Sequence, residues 1–314
     1  QQHVSNHGPI VNPPLTRREM LRSAIFAAAG VALPLSLLAE QTESDADEAR
    51  LAAWTGTLRR ESPLFRAHAF GRRAVRVGEL AVGSPYEAFT LEAYIRAGGN
   101  PSNNEPLTLS LTHFDCVTLV ESCLAVARVA GDARARSWKR FGREVERMRY
   151  RAGKREGYAS RLHYFSEWIS DGERRGLVRD LGADLGGVAD ARPLRFMTEH
   201  RSSYPALADD GVFRAIGEME RSLDNHPRHM VPAARIPEVV DRIETGDVLA
   251  FATAIPGIDV SHAAFAYRDA AGILRVLHAP LSGGVVEVTR ATLPEYVSAI
   301  RAATGILVAR PLAG

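Results

Sequence analysis

The chain has two cysteines in 314 residues, Cys116 and Cys123. A framework of several disulfides is therefore excluded. Net charge is also scarce, at +2. The surplus sits at the start: Arg17, Arg18 and Arg22 face Glu19 within the first 39 residues. Taking those three from 39 basic residues, and Glu19 from 37 acidic ones, leaves 36 of each sign in the remainder. A nucleic-acid-binding domain usually carries a basic surplus, so no nucleic-acid partner is expected. Beyond the leader no run of about 18 uninterrupted apolar residues occurs, which excludes an internal membrane span of helical type. Neither CxxC nor HExxH spacing is present, and GxSxG and GxxxxGK[ST] are missing as well. Zinc, serine-hydrolase and phosphate-loop chemistries thus lack their usual signatures. No internal repeat and no low-complexity linker appears.

What is present first is a leader. NPPLTRREMLRSAIFAAAGVALPLSLLAEQTES sets a basic cluster before an apolar run from Ala24 to Ala39. That is the layout of an export signal. Arg17-Arg18 with Glu19, Met20 and Leu21 resembles a twin-arginine signal, so the expected partner is the twin-arginine export machinery and the expected location the periplasm. No cysteine lies here to carry a lipid, and no stable membrane insertion is expected once the signal is removed. Residues 1–44 are assigned to the signal and its flank, and 45–314 to one domain.

Helical patterns fill the first half of that domain: Asp45–Leu58, Thr112–Ala130 ended by Gly131, a basic stretch from Arg134 to Arg155, and Ser160–Ile169. The basic stretch reads as a solvated face or as a surface for an anionic polymer such as cell wall. Short β-branched runs follow at Asp247–Thr253, Val260–Tyr267, Ile273–Ala279, Val285–Thr289 and Gly305–Ala309, with a helix over Leu293–Ile300. Asp269–Gly272 reads as a hairpin turn. Helices first and an antiparallel sheet afterwards make an α+β domain.

Both cysteines lie in LTHFDCVTLVESC, with Thr112 as the expected cap and Asp115 near the positive end of the helix. Seven residues of helix separate the thiols by about 10.5 Å along the axis. A disulfide needs Cα atoms about 4.4–6.8 Å apart, so the two do not pair with each other. Cys123 falls on the apolar face and reads as packing. Cys116 lies in the first turn, where free N–H groups and the dipole favour a thiolate and can hold an oxyanion. Nucleophile and core cysteine both remain open for it from this alone. A nucleophile needs a base and an orienting group. His262 in DVSHAAFAYR and His278 in ILRVLHAPL, on adjacent strands, can fill those roles. Zinc held by one Cys and two His is the competing reading.

The order of cysteine helix, histidine strand and polar residue on the next strand resembles the NlpC family of papain-like cell-wall peptidases. PYEAFTLE (85–92), FDCVTLVE (114–121), SRLHYFSEW (160–168), GDVLAFAT (246–253), DVSHAAFAY (259–267) and LHAPLSGGVVEV (277–288) resemble its N-acetylmuramoyl-L-alanine amidase-like branch. The resemblance implies a papain-like sheet packed on the cysteine helix with helical insertions. It implies Cys116 as nucleophile, His262 as base, His278 as orienter, no cofactor or metal, and a peptidoglycan or muropeptide substrate. The bond implied joins muramic acid to L-alanine. Relatives instead cut γ-D-glutamyl–diamino acid bonds, and a catalytically silent wall-binding module keeps the same fold. Leu119 departs mildly from the Phe usual in the family. For substrate binding, Asp115 holds a peptide amine or caps the helix. Tyr86 donates to the oxyanion or packs a turn. Arg161 and His163 meet substrate carboxylates or serve internal bonds.

Overall fold

The computed structural model describes residues 45–61, 70–102, 105–132, 136–281 and 284–313. The leader lies outside them, as do residues 133–135 at the head of the basic stretch. The longer described helices come first: α1 (Asp45–Arg60), α2 (Phe70–Ala81), α3 (Cys116–Gly131) and α4 (Trp138–Arg149), with a single turn at Ala93–Arg96 between α2 and α3. α5 (Phe165–Arg174) precedes strands β1 (Val178–Asp180) and β2 (Val188–Asp190), then α6 (Asp210–Ser222) and β3 (Arg228–Pro232). The chain closes with β4 (Val248–Thr253), β5 (Val260–Arg268), β6 (Leu274–His278), β7 (Glu287–Val288), α7 (Leu293–Ala299) and β8 (Ala303–Pro311).

α3 starts at Cys116, four residues later than the Thr112 start expected, because Asp115 supplies the cap. Its Oδ1 accepts the N–H groups of Val117 and Thr118, while the Thr118 hydroxyl accepts the Asp115 N–H. From Thr118 to Ala130 every side chain is buried. α3 is thus a central helix wrapped on all sides: apolar residues lie all round it, and its two buried charges have partners, Glu121 in Arg149 and Arg128 in the Leu177 and Leu312 carbonyls. α4 is amphipathic instead: Trp138, Phe141, Val145 and Met148 face inward at helical spacing, while Lys139 and Arg143 face water. In the described part of the basic stretch Lys139 and Arg143 are thus solvated above an apolar underside, while Arg140 and Arg149 are buried in ion pairs with Asp132 and Glu121.

The sheet runs β2-β3-β8-β4-β5-β6-β7, with β1 also pairing β8. Every ladder pair is antiparallel. Its two faces are buried differently. Val248, Ala250, Ala252, Ala263 and Phe265 face α3 and the other early helices. Leu249, Phe251, Ala264, Ala266 and Val276 face α7 and the turns near Ile236–Ile243. β4 is buried at all six positions because it lies between both cores. The small side chains on the α3 side let the helix lie close to β5. The expected hairpin at 269–272 forms: the Asp269 carboxylate accepts from the N–H groups of Ala271 and Ile273, and Gly272 takes φ +81°. A third cluster gathers Tyr158, Tyr164, Leu194, Met197 and Ile216 beneath α6. Helical insertions are among the features the resemblance implies; the place of this one, and strands β1–β3, carry no signal in the sequence patterns above. No described helix is long and apolar enough to cross a membrane.

Candidate active site

Cys116 is the first residue of α3, half-buried, with its sulfur against the backbone N–H groups of Ala263, Val117 and its own residue. Ala263 follows His262 in β5, so the helix start and the histidine strand meet at this sulfur. Cys116 and His262 both line a cleft of ≈ 210 Å³. His278 is buried behind His262, with Nδ1 2.8 Å from His262 Nε2. The histidine spacing follows from the sheet: β5 and β6 pair Phe265 with Leu277 and Ala266 with Val276, which sets the two rings on one face, diagonal to each other. Phe251 stacks on the His262 ring at 5.6 Å, and the Tyr296 hydroxyl lies 3.3 Å from His278 Nδ1. Both thiols are free, and Cys123 is buried in the core.

The charge state differs from the thiolate expected at a helix start. Burial pushes the Cys116 thiol up to about 12, and the Asp115 carboxylate adds to it. The three N–H groups at the sulfur act the other way without reversing this. Burial, with His278 beside it, pulls His262 down to about 3. At neutral pH the pair is therefore a thiol and a neutral imidazole. The N–H groups expected to be free are also fewer. Asp115 takes those of Val117 and Thr118, and its carbonyl takes that of Leu119.

The remaining expected residues fall in different places. Asp115 has its Oδ1 committed to the cap and does not line the cleft. Tyr86 does not line the cleft; a backbone bridge holds it beside Phe114, two residues before Cys116. Burial raises its phenol pKa, with Cys116 and Asp115 contributing, so it is a neutral donor. Arg161 is buried away from the cleft. Its guanidinium pairs with Glu92 at 2.8 Å and Glu105 at 3.3 Å, and Glu92 in turn lines the cleft. His163 lines the cleft, but burial holds its pKa well below the ordinary value and its Nε2 donates to the Tyr158 carbonyl at 2.8 Å. It presents an acceptor nitrogen, which does not attract a carboxylate.

Several cleft residues escaped the sequence reading. Glu92, Tyr158, Phe196 and Tyr204 line it, and no lysine or arginine does so among the described residues. Trp168 lines it too, with a buried indole N–H that has no partner among the described residues. Asp259 ties the cleft wall to the sheet: its carboxylate accepts the N–H of Ser166 in α5 at 2.7 Å and of Val260 at 2.8 Å. Tyr164 is fixed by donating to the buried Glu220 carboxylate at 2.6 Å. Glu92 and Tyr158 sit within or beside the quoted motifs, but Phe196 and Tyr204 come from the insertion and carry no local signal. Among the described residues no cluster of three His, Cys, Asp or Glu is placed to hold a metal.

The buried neutral histidines have a stability consequence. His262 and His163 have folded pKa values below the ordinary 6.5. Below that value the unfolded chain binds protons that the folded chain refuses. Stability from these two is complete above pH 6.5 and falls as pH drops toward the folded values. We expect melting temperature to fall between pH 6.5 and about 5, and to fall less steeply in His262→Gln, when thermal unfolding is followed by circular dichroism. Equal slopes in the two proteins would contradict a neutral buried His262.

Comparison with known proteins gives the family and the fold. Residues 76–306 match the family described as AmiA-like, N-acetylmuramoyl-L-alanine amidase-like. A solved N-acetylmuramoyl-L-alanine amidase from Bacteroides uniformis ATCC 8492 is 31% identical, with TM-score 0.70, covering 77% of this chain and 98% of that one. A structure described as a putative xylanase from Bacteroides fragilis is 33% identical, with TM-score 0.67, covering 74% of this chain and 99% of the other. A Legionella pneumophila protein at 19% identity and TM-score 0.57, covering 84% of this chain and 96% of its own, shares the fold. No curated protein matches the chain.

Proposed function

The chain belongs to the N-acetylmuramoyl-L-alanine amidase-like family, and from that premise we propose that it is a papain-like cysteine amidase acting on peptidoglycan or its fragments. The observation that carries the reading is the cleft shared by Cys116 and His262, with His278 2.8 Å behind the latter. Because the resting thiol is neutral, deprotonation accompanies attack. The S–H bond breaks, its proton passes to His262, and the sulfur bonds to the amide carbon while the carbonyl pair moves onto oxygen. The Cys116 N–H and the Tyr86 hydroxyl are the donors left for that oxygen. His262 then returns the proton to the leaving amine, and water releases the thioester.

The bond we assign is the amide between the muramic acid lactyl group and L-alanine. A cleft with aromatic walls, acceptor groups at Glu92, Asp259 and His163, and no described cation suits a neutral sugar-lactyl half. As the acyl half, beside the scissile bond, a γ-D-glutamyl group would bring an α-carboxylate that needs a positive partner, whereas the lactyl group brings none there. The leader's pattern supports action in the periplasm after twin-arginine export. Mass spectrometry of digested muropeptides tests the assignment. Stem peptides with a free N-terminal L-alanine are expected. Fragments with L-alanine still on muramic acid would favour the γ-D-glutamyl reading, and no fragments at all would favour a wall-binding module.

A further inference from the structure

We propose that Glu287 is a positioning residue that sets the tautomers of His278 and His262, leaving the Cys116-side nitrogen of His262 unprotonated. This rests on the reading of His262 as the base for Cys116. β6 and β7 pair His278 directly with Glu287, so both side chains leave the same face. His278 Nε2 is buried and makes no hydrogen bond among the described residues. Glu287 Oε1 faces it at 3.6 Å.

An ionised carboxylate only accepts, so it favours a proton on His278 Nε2. The His278 lone pair then lies on Nδ1. Two groups meet that lone pair: His262 Nε2 at 2.8 Å and the Tyr296 hydroxyl at 3.3 Å. Both are able to donate to it. His262 therefore carries its proton on Nε2, and its other nitrogen is bare. The reverse arrangement puts the His278 proton on Nδ1 and makes His262 Nε2 the acceptor. The His262 proton then sits on Nδ1, and a neutral ring in that state has no nitrogen free to take the thiol proton. Tautomer choice thus separates a working base from an idle one.

The charged and titratable groups facing this pair are His262 from β5, Tyr296 from α7 and Glu287 from β7, with Arg290 acting on Glu287. The His278 ring beside it, and Arg290, hold the Glu287 carboxyl below its ordinary range, which keeps it ionised at neutral pH. Glu287 is 48% exposed at the end of the sheet, so its side chain can be removed without opening the core.

The test is nitrogen NMR of the full chain labelled with 15N-histidine. In the wild type both rings should read as the Nε2–H tautomer. In Glu287→Ala the His278 proton should redistribute onto Nδ1, with unchanged melting temperature and a kcat/KM on muropeptides about tenfold lower at unchanged KM. Glu287→Gln retains an acceptor oxygen and should fall between the two. A spectrum of Glu287→Ala identical to wild type overturns the proposal. A redistributed proton supports it even if the wild type hydrolyses no muropeptide, in which case the amidase reading is what fails.

Discussion

Replacing Cys116 by alanine should lower the release of stem peptide by about 10⁴-fold or more while leaving the melting temperature near that of the wild type. The size follows from the role. Without the sulfur no thioester forms, and a water molecule would have to attack directly. What survives is substrate positioning and the oxyanion donors, which alone give residual catalysis of only about 10³–10⁴ over water in triad enzymes. Folding should tolerate the change because Cys116 is half-buried at a helix end whose cap is made by Asp115 and Thr118, not by the thiol. Cys116→Ser should be almost as poor, since a hydroxyl is harder to deprotonate than a thiol and His262 is a weak base at about 3. Cys123→Ala is the internal control. Its sulfur is buried in the core, so it should keep activity and lose about 1 kcal/mol of stability. Chromatographic assay of released peptide with each variant decides the matter. Cys116→Ala within tenfold of wild type would sink the thiol mechanism.

The parts of this site that local chemistry specifies were legible in the sequence. FDCVT carries its own cap, so a helix-start cysteine follows from adjacent residues, although the start falls at Cys116 and not Thr112 because Asp115 Oδ1 accepts two N–H groups. The β5–β6 hairpin is likewise local, and it alone sets His262 near His278. Charge state was not legible. A helix N-terminus favours a thiolate, but only the packed structure shows that burial at Cys116 prevails over it. Nor was the fate of Arg161 visible, because Glu92 and Glu105 lie 69 and 56 positions away in sequence. The cleft wall was hidden for the same reason. Phe196 and Tyr204 reach the cleft through an insertion whose own small core sits beneath α6. Glu287 stood inside the quoted LHAPLSGGVVEV, yet only the strand register shows that it opposes His278.

Breaking the Arg149–Glu121 pair should destabilise the protein by about 3–5 kcal/mol, the largest loss expected from a single side chain near the site. Glu121 lies five positions after Cys116 on α3, and Arg149 ends α4. Nε meets Oε2 at 2.7 Å, with the two side chains only 3% and 2% exposed. Arg149 also donates to the Thr108 carbonyl at 2.6 Å. Removing either partner strands a charge where water cannot reach it, and that desolvation cost sets the magnitude. Arg149→Ala and Glu121→Ala should each show it in urea unfolding, with melting lowered by roughly 10 °C. The double variant Glu121→Leu, Arg149→Met should recover most of the loss, because no charge is then left unpaired and apolar volume replaces the pair. Activity should follow the same order, since the pair locks the cysteine helix to α4. Additive losses in the double variant would mean that the two groups do not act as a buried pair, and α3 would then need another anchor.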